Sequence, residues 1–376
     1  MIMDIQENIR NWRRSLHQIP ELGLEEYKTT EYLRIALQKM GYHPLSISKT
    51  GLIVYIDHHQ SETIAFRCDI DGLPIAEKND CSYVSLHPGR MHACGHDGHM
   101  SALLGFALFL KQSQEKYRYN VLLLFQPAEE IVRGAHLFVS TGIFEKYHVK
   151  AIFGMHLTPD IEEGTIASRP GALMAQGGEL EVTIHGKQAH VGRYYEGVNS
   201  IAIASQLLQS YQTIRNQSVS PMQPSLLHIG KIEGGYACNI VADKVVMHGC
   251  LRTLSKEVYE TIIRCMEQIH QGLEKQYGCH ITYHCPPLYP PVTNDPALYK
   301  AFTKCITSTY EEISEPSLLG EDFSYYQEQV PGVYFYLGTK NKQFQSGLHT
   351  DTFNFRESVL LSAIDAYHHI LQNIRL

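Results

Sequence analysis

The chain is short of four things, and each shortage removes a class of protein. It has no excess of positive charge: 32 Lys and Arg face 39 Asp and Glu over 376 residues, a formal charge of −7. Nucleic acid is therefore not an expected partner. It has no apolar run near the ~18 residues that cross a bilayer, so no membrane partner is expected. Residues 1–14 are charged and lack the apolar core of a signal peptide, which makes the cytoplasm the expected location. It has no Cys-x-x-Cys pair. Its nine cysteines, Cys68 to Cys305, are odd in number and scattered, which argues against a disulfide framework and a four-cysteine zinc ribbon. Finally, it has no low-complexity tract and no internal repeat.

What is present reads as globular: 44% of residues are hydrophobic and 19% charged. The length exceeds one ordinary core, so two domains are expected. Residues 5–18 read as an amphipathic helix broken by Pro20 and Gly23. A second helix runs to about Met40, with Leu33, Ala36, Leu37 and Met40 on one face and Gly41 as its stop. Short apolar runs then alternate with helical patterns, the mark of an α/β layer with a mixed, largely parallel sheet flanked by helices.

Four of these runs lead to metal-type ligands. Thr63-Ile64-Ala65-Phe66 precedes Asp69 and Asp71. Val121 to Phe125 precedes Glu129 and Glu130. Ala151 to Met155 precedes His156, and Val333 to Leu337 precedes a loop with His349. In α/β sheets the functional crevice lies at the carboxyl ends of the strands. A fifth segment, Met91-His92-Ala93-Cys94-Gly95-His96-Asp97-Gly98-His99, crowds a thiol and several imidazoles ahead of a helical pattern at Met100, Leu103, Leu104, Ala107 and Leu110. Cys94 and His96 are expected in the turn before that helix. His99 is read as a helix-start residue rather than a ligand, and His92 is left out.

From about residue 178 the pattern changes to strand alternation at Leu180, Val182 and Ile184. A helix at 198–211, strands at 226–232 and 244–252, a helix at 257–277 and a strand at 279–285 complete the order β-α-β-β-α-β, a ferredoxin-like α+β arrangement. The expected organisation is a catalytic domain of residues 1–177 and 289–376, interrupted by a small inserted domain at 178–288.

Cys94, His96, Glu130, His156 and His349 form a mixed set of sulfur, nitrogen and oxygen ligands. Zinc accepts all three; manganese, nickel and cobalt suit the imidazoles and carboxylate. Five ligands exceed one tetrahedral site, which points to two divalent ions that together lower the pKa of a water. One of the adjacent pair Glu129 and Glu130 is then free to act as general base; the residues alone leave open which.

These segments resemble the amidohydrolase branch of the aminoacylase/carboxypeptidase metallopeptidases. Further matches are Leu16-His17-Gln18-Ile19-Pro20-Glu21-Leu22, Arg67-Cys68-Asp69-Ile70-Asp71-Gly72-Leu73-Pro74, Phe125-Gln126-Pro127-Ala128-Glu129-Glu130, Gly154-Met155-His156, Gly320-Glu321-Asp322-Phe323 and Gly347-Leu348-His349. The resemblance implies a two-metal catalytic domain with an inserted lid that forms a homodimer. It implies that Cys94, His96, Glu130, His156 and His349 hold the metals, that Glu129 is the base, and that Asp69 orients a ligand. On the lid it implies that His190 stabilises an oxyanion, while Asn239 and Arg252 hold the substrate carboxylate. The implied substrate is a small N-acyl amino acid, N-acetyldiaminopimelate of lysine biosynthesis foremost; a general N-acyl-amino-acid or hippurate-type hydrolase, a dipeptidase, or a non-catalytic metal-binding homologue are the alternatives. Two departures bear on substrate: Ile131-Val132-Arg133 stands where a Gly-rich segment is common, and Tyr194-Tyr195 where a Pro-His pair is common.

Overall fold

The computed structural model describes residues 4–376. The chain divides into two compact units. One comprises the described residues up to Leu173 together with Thr293–Glu315 and Asp322–Leu376; the other comprises Met174–Val292 and Pro316–Glu321. The second unit takes in 316–321 because that segment bonds to its entry strand: Ala175 N donates to Leu319 O at 2.8 Å, a pairing that hydrophobic periodicity does not reveal.

The first unit is built on an eight-stranded mixed sheet. At its centre, Asn120–Gln126, Thr63–Asp69, Val149–Glu162 and Gly332–Lys340 lie side by side and parallel. Every residue of the first two is buried, as expected of strands covered on both faces. The His96–Gln112 helix is also buried on nearly every side. It packs against the Ile5–His17 and Leu360–Asn373 helices. The contact is close at Gly105, where a Cβ would stand 2.4 Å from Ile364 Cδ1.

The helix boundary corrects one expectation. His96 opens the helix rather than preceding it, because Gly95 turns the chain at φ +86° and serves as its N-cap. That left-handed conformation is open to glycine at little cost. Cys94 remains in the turn.

The second unit has an antiparallel sheet in the order Ser225–Gly234, Lys244–Thr253, Gln176–His185, His280–His284. The Ser200–Gln217 and Lys256–Tyr277 helices pack together against it. This is the ferredoxin-like arrangement. Asn199 and Ser255 cap these helices through their side chains. The first helix runs six residues past Tyr211, because Ile214 extends its buried face. Each unit has its own apolar core. No helix among the described residues is long and apolar enough to cross a membrane.

Candidate metal centre

The central strands end on a fixed polar frame. Arg67, fully buried, donates to Gln126 Oε1 at 2.8 Å, Asp69 Oδ2 at 2.7 Å and Asp322 Oδ1 at 3.1 Å. A buried charge is tolerated when it is paired and hydrogen-bonded in this way. Neighbouring strand ends are thereby tied to the Asp322 segment.

Around this frame the five expected ligands converge. Cys94 Sγ lies 3.3 Å from His156 Nε2 and 3.3 Å from His349 Nε2. His349 Nε2 is 3.3 Å from Glu130 Oε1, and His96 Nε2 is 3.9 Å from the same oxygen. Two donor triads share the thiol: Cys94 with His96 and His156, and Cys94 with Glu130 and His349. Glu129 joins His96 and Glu130 in a third. His349 reaches the cluster from a residue at φ +58°, its amide bonded to Ala93 O at 2.9 Å.

The ring nitrogens facing away from the cluster are fixed by backbone. His96 Nδ1 donates to Asp71 O at 2.9 Å, and His156 Nδ1 donates to Leu157 O at 2.6 Å. When neutral, each ring therefore carries its proton away from the cluster and turns a lone pair on Nε2 into it, the form that ligates a metal. His99 differs. Its Nε2 accepts the Leu157 N–H at 2.9 Å and its Nδ1 faces Asp69 Oδ1 at 2.6 Å, so both nitrogens are occupied. His92 is buried, and neither of its ring nitrogens has a hydrogen-bond partner among the described residues.

The pocket attracts positive charge. Burial opposes ionisation of His96, but Asp69, Asp71 and Glu130 outweigh it and raise its pKa to about 10. Burial, with Glu130, Glu129 and Asp69, pushes the Cys94 thiol well above its usual range. His156 is held well below its usual value by burial and by His99. Glu130 is lowered despite burial by His349 and His96. Among the described residues the buried His96 Nε2 and Glu130 Oε1 make no hydrogen bond of good geometry, His349 Nε2 standing off Glu130 Oε1 at 3.3 Å. Orphaned donor atoms of this kind, facing one another among carboxylates and a thiol, fit divalent cations. A separate surface group, Asp365, His368 and His369, is taken up by ion pairs within itself and with Glu115.

Asp69 lies beside the cluster, with Oδ2 3.8 Å from His96 Nε2, but the contact that orients His96 comes from Asp71. Sequence reasoning missed that role. The available signal was the Asp69-x-Asp71 spacing at a strand end.

The expected lid residues lie on the second unit. His190 is exposed and its Nδ1 accepts the Gly192 N–H at 3.1 Å, which places the neutral ring's proton on Nε2. Asn239 is exposed. Arg252, half-buried, donates from one Nη to the Tyr289 hydroxyl.

An α/β unit with sulfur, imidazole and carboxylate donors at its strand ends, joined to a ferredoxin-like unit, defines a class: metal-dependent hydrolases of linear amide bonds. Residues 65–373 match Peptidase family M20/M25/M40, and the chain belongs to that family. An N-acetyldiaminopimelate deacetylase of Listeria monocytogenes serotype 4b is 35% identical over 367 residues, covering 96% of this chain and 98% of that one. An uncharacterized hydrolase of Staphylococcus epidermidis is 35% identical over 371 residues, covering 96% and 97%. The Bacillus subtilis YXEP protein, a dinuclear metal-binding peptidase of family M20, superposes with a TM-score of 0.86 at 31% identity, covering 98% and 99%.

Proposed function

We propose that the chain removes the acyl group from N-acyl amino acids, and that N-acetyldiaminopimelate, an intermediate of lysine biosynthesis, is its substrate. The observation that carries the reading is the pair of donor triads sharing Cys94, with Glu129 beside them. Cys94, His96, Glu130, His156 and His349 would hold two divalent ions of zinc, manganese, nickel or cobalt. Such ions polarise a carbonyl and acidify a water.

The chain's own groups divide the remaining work. Glu129 takes the proton of the attacking water and returns it to the leaving amine. Asp69 holds His99 and, with Arg67, the floor of the site. His190 offers an Nε2–H donor to the developing oxyanion. Arg252, steadied by Tyr289, pairs with the substrate carboxylate, aided by Asn239. The second unit serves as the lid and as the contact of a homodimer, and the enzyme works in the cytoplasm.

Product release from N-acetyldiaminopimelate, N-benzoylglycine and a dipeptide, measured side by side on metal-loaded protein, tests the reading. N-acetyldiaminopimelate is expected to be the fastest. No turnover of it beside rapid cleavage of N-benzoylglycine replaces the substrate and leaves the mechanism. No turnover of any of the three overturns both.

A further inference from the structure

Glu26 has no part in the chemistry above, yet it is fully buried. It stands at the start of the Tyr27–Lys39 helix, but its side chain does not cap that helix. Instead Oε1 accepts the N–H of Ala128 at 2.7 Å, 102 residues further along the chain. Burial and the like charge of Asp71 push its carboxyl up to about 7. Few positions keep a carboxylate at such a disadvantage without a structural return.

The return lies in what Ala128 begins. Ala128 sits at φ +58°, a region a residue with a Cβ rarely occupies. Its carbonyl accepts from Arg133 N at 3.1 Å and Gly134 N at 3.2 Å, closing the loop on itself. Gly134 has to be glycine, because a Cβ there would stand 1.6 Å from Pro127 O. Two residues after Ala128, the N–H of Glu130 donates to Asp71 Oδ2 at 3.0 Å. The backbone is thus held on both sides of Glu129 by buried carboxylates from two distant segments. Gly23 packs on the same turn: a Cβ there would stand 3.1 Å from Ala128 Cα and 3.0 Å from Ile131 Cγ1.

We propose that Glu26 is a positioning residue for the hydrolysis: with Asp71 it clamps the backbone on either side of Glu129 and so aims the base. The inference rests on Glu129 as the base of the proposed reaction. The clamp needs a hydrogen-bond acceptor at Glu26, and a Gln side chain supplies one at the same place. A Met side chain fills the volume without it.

The test compares Glu26→Gln and Glu26→Met with wild type on the fastest N-acyl amino acid, measuring kcat, KM and bound metal. Glu26→Gln is expected to keep kcat within about twofold. Glu26→Met is expected to lose about ten- to a hundredfold in kcat, the scale set by an ångström-level misplacement, with KM and metal content unchanged. Wild-type kcat in Glu26→Met overturns the clamp. So does a Glu26→Gln enzyme as slow as Glu26→Met, which would mean that charge rather than the acceptor is needed, and so does loss of metal in step with rate. If Glu26→Met does not fold, Glu26→Asp, which withdraws the acceptor by one methylene, carries the same expectation and the same refutation. A wild type inactive on every N-acyl amino acid removes the functional reading and the clamp's role with it; an active wild type beside an equally fast Glu26→Met removes the clamp alone.

Discussion

Asp71 grips His96 twice from behind: its backbone oxygen lies 2.9 Å, and its carboxylate Oδ1 3.2 Å, from His96 Nδ1. The same carboxylate holds the Glu130 amide through Oδ2. One residue therefore orients the His96 imidazole, chiefly through its backbone oxygen, and the backbone of Glu130, through its carboxylate. Groups that hold a ligand from behind are worth about ten- to a hundredfold in metal affinity. Asp71→Ala is expected to weaken metal binding by about that factor, read by competition with a chromophoric chelator. Asp71→Asn keeps an acceptor oxygen and should lose less. Unchanged affinity in Asp71→Ala would mean that the backbone oxygen of residue 71 suffices to hold His96 and that the carboxylate adds nothing to the site.

In the proposed reaction the neighbours Glu129 and Glu130 have separable roles. Glu130 Oε1 is among the donor atoms facing Cys94 and His349, whereas Glu129 is the adjacent buried carboxylate. Glu129→Gln is expected to keep its full metal content while kcat falls by roughly 10²–10⁴-fold, the range for a positioned acid-base group. Metal analysis and steady-state rates on one preparation check both halves. A Glu129→Gln enzyme with wild-type kcat would remove the base from the mechanism.

The parts of this site that were readable in the sequence share a physical reason. Val121 to Phe125 is an unbroken apolar run, so a strand buried on both faces follows from pattern alone, with the candidate ligands Glu129 and Glu130 beyond its exit. Cys94 and His96 stand beside a helical periodicity that places both just before the helix, which holds for Cys94, whereas His96 is its first residue. Asp71 was legible as an acid beyond a strand end, but its contacts were not, and Glu26 stands in no pattern that marks it. Their partners are a backbone N–H at residue 130 and another at 128, and no local period reports a bond across 59 or 102 residues. The tie between 316–321 and the second unit is likewise a backbone pairing without a side-chain signature.

Stability of the first unit depends on a second buried network. Arg13 Nε donates to Asp97 Oδ2 at 2.9 Å, and His17 Nδ1 lies 2.8 Å from the same oxygen. Arg13 and Asp97 are almost completely buried. Burial would raise the Asp97 pKa, but Arg13 and His17 overturn that and hold it far below the usual carboxylate range. Removing one partner of a buried pair leaves an uncompensated charge and costs about 3–5 kcal/mol. Asp97→Ala is therefore expected to destabilise the first unit by about that amount in denaturant unfolding. The loss should reach the metal site too, since residue 97 follows His96 in the helix. A loss under about 1 kcal/mol would show the pair to be solvated in solution.

The second unit carries its own pH dependence. Tyr211 and His270, on its two helices, meet at 2.6 Å between the hydroxyl and Nε2, and both are buried. Burial lowers the His270 pKa from 6.5 to about 4, and the nearby Glu274 and Glu267 only partly oppose it. The folded state thus holds a neutral ring where the unfolded chain, below about pH 6.5, holds a proton. Because the unfolded state binds more protons between those two values, stability rises with pH across that window. The stabilisation is complete above pH 6.5 and is lost as pH falls towards 4, by at most about 3 kcal/mol for a shift of this size. Thermal unfolding followed from pH 7.5 down to 4.5 should show the second unit losing stability in wild type. His270→Gln, which keeps a polar partner for Tyr211 but cannot titrate, should flatten that slope. An unchanged slope in His270→Gln would assign the pH dependence to other groups and leave the Tyr211–His270 contact as packing alone.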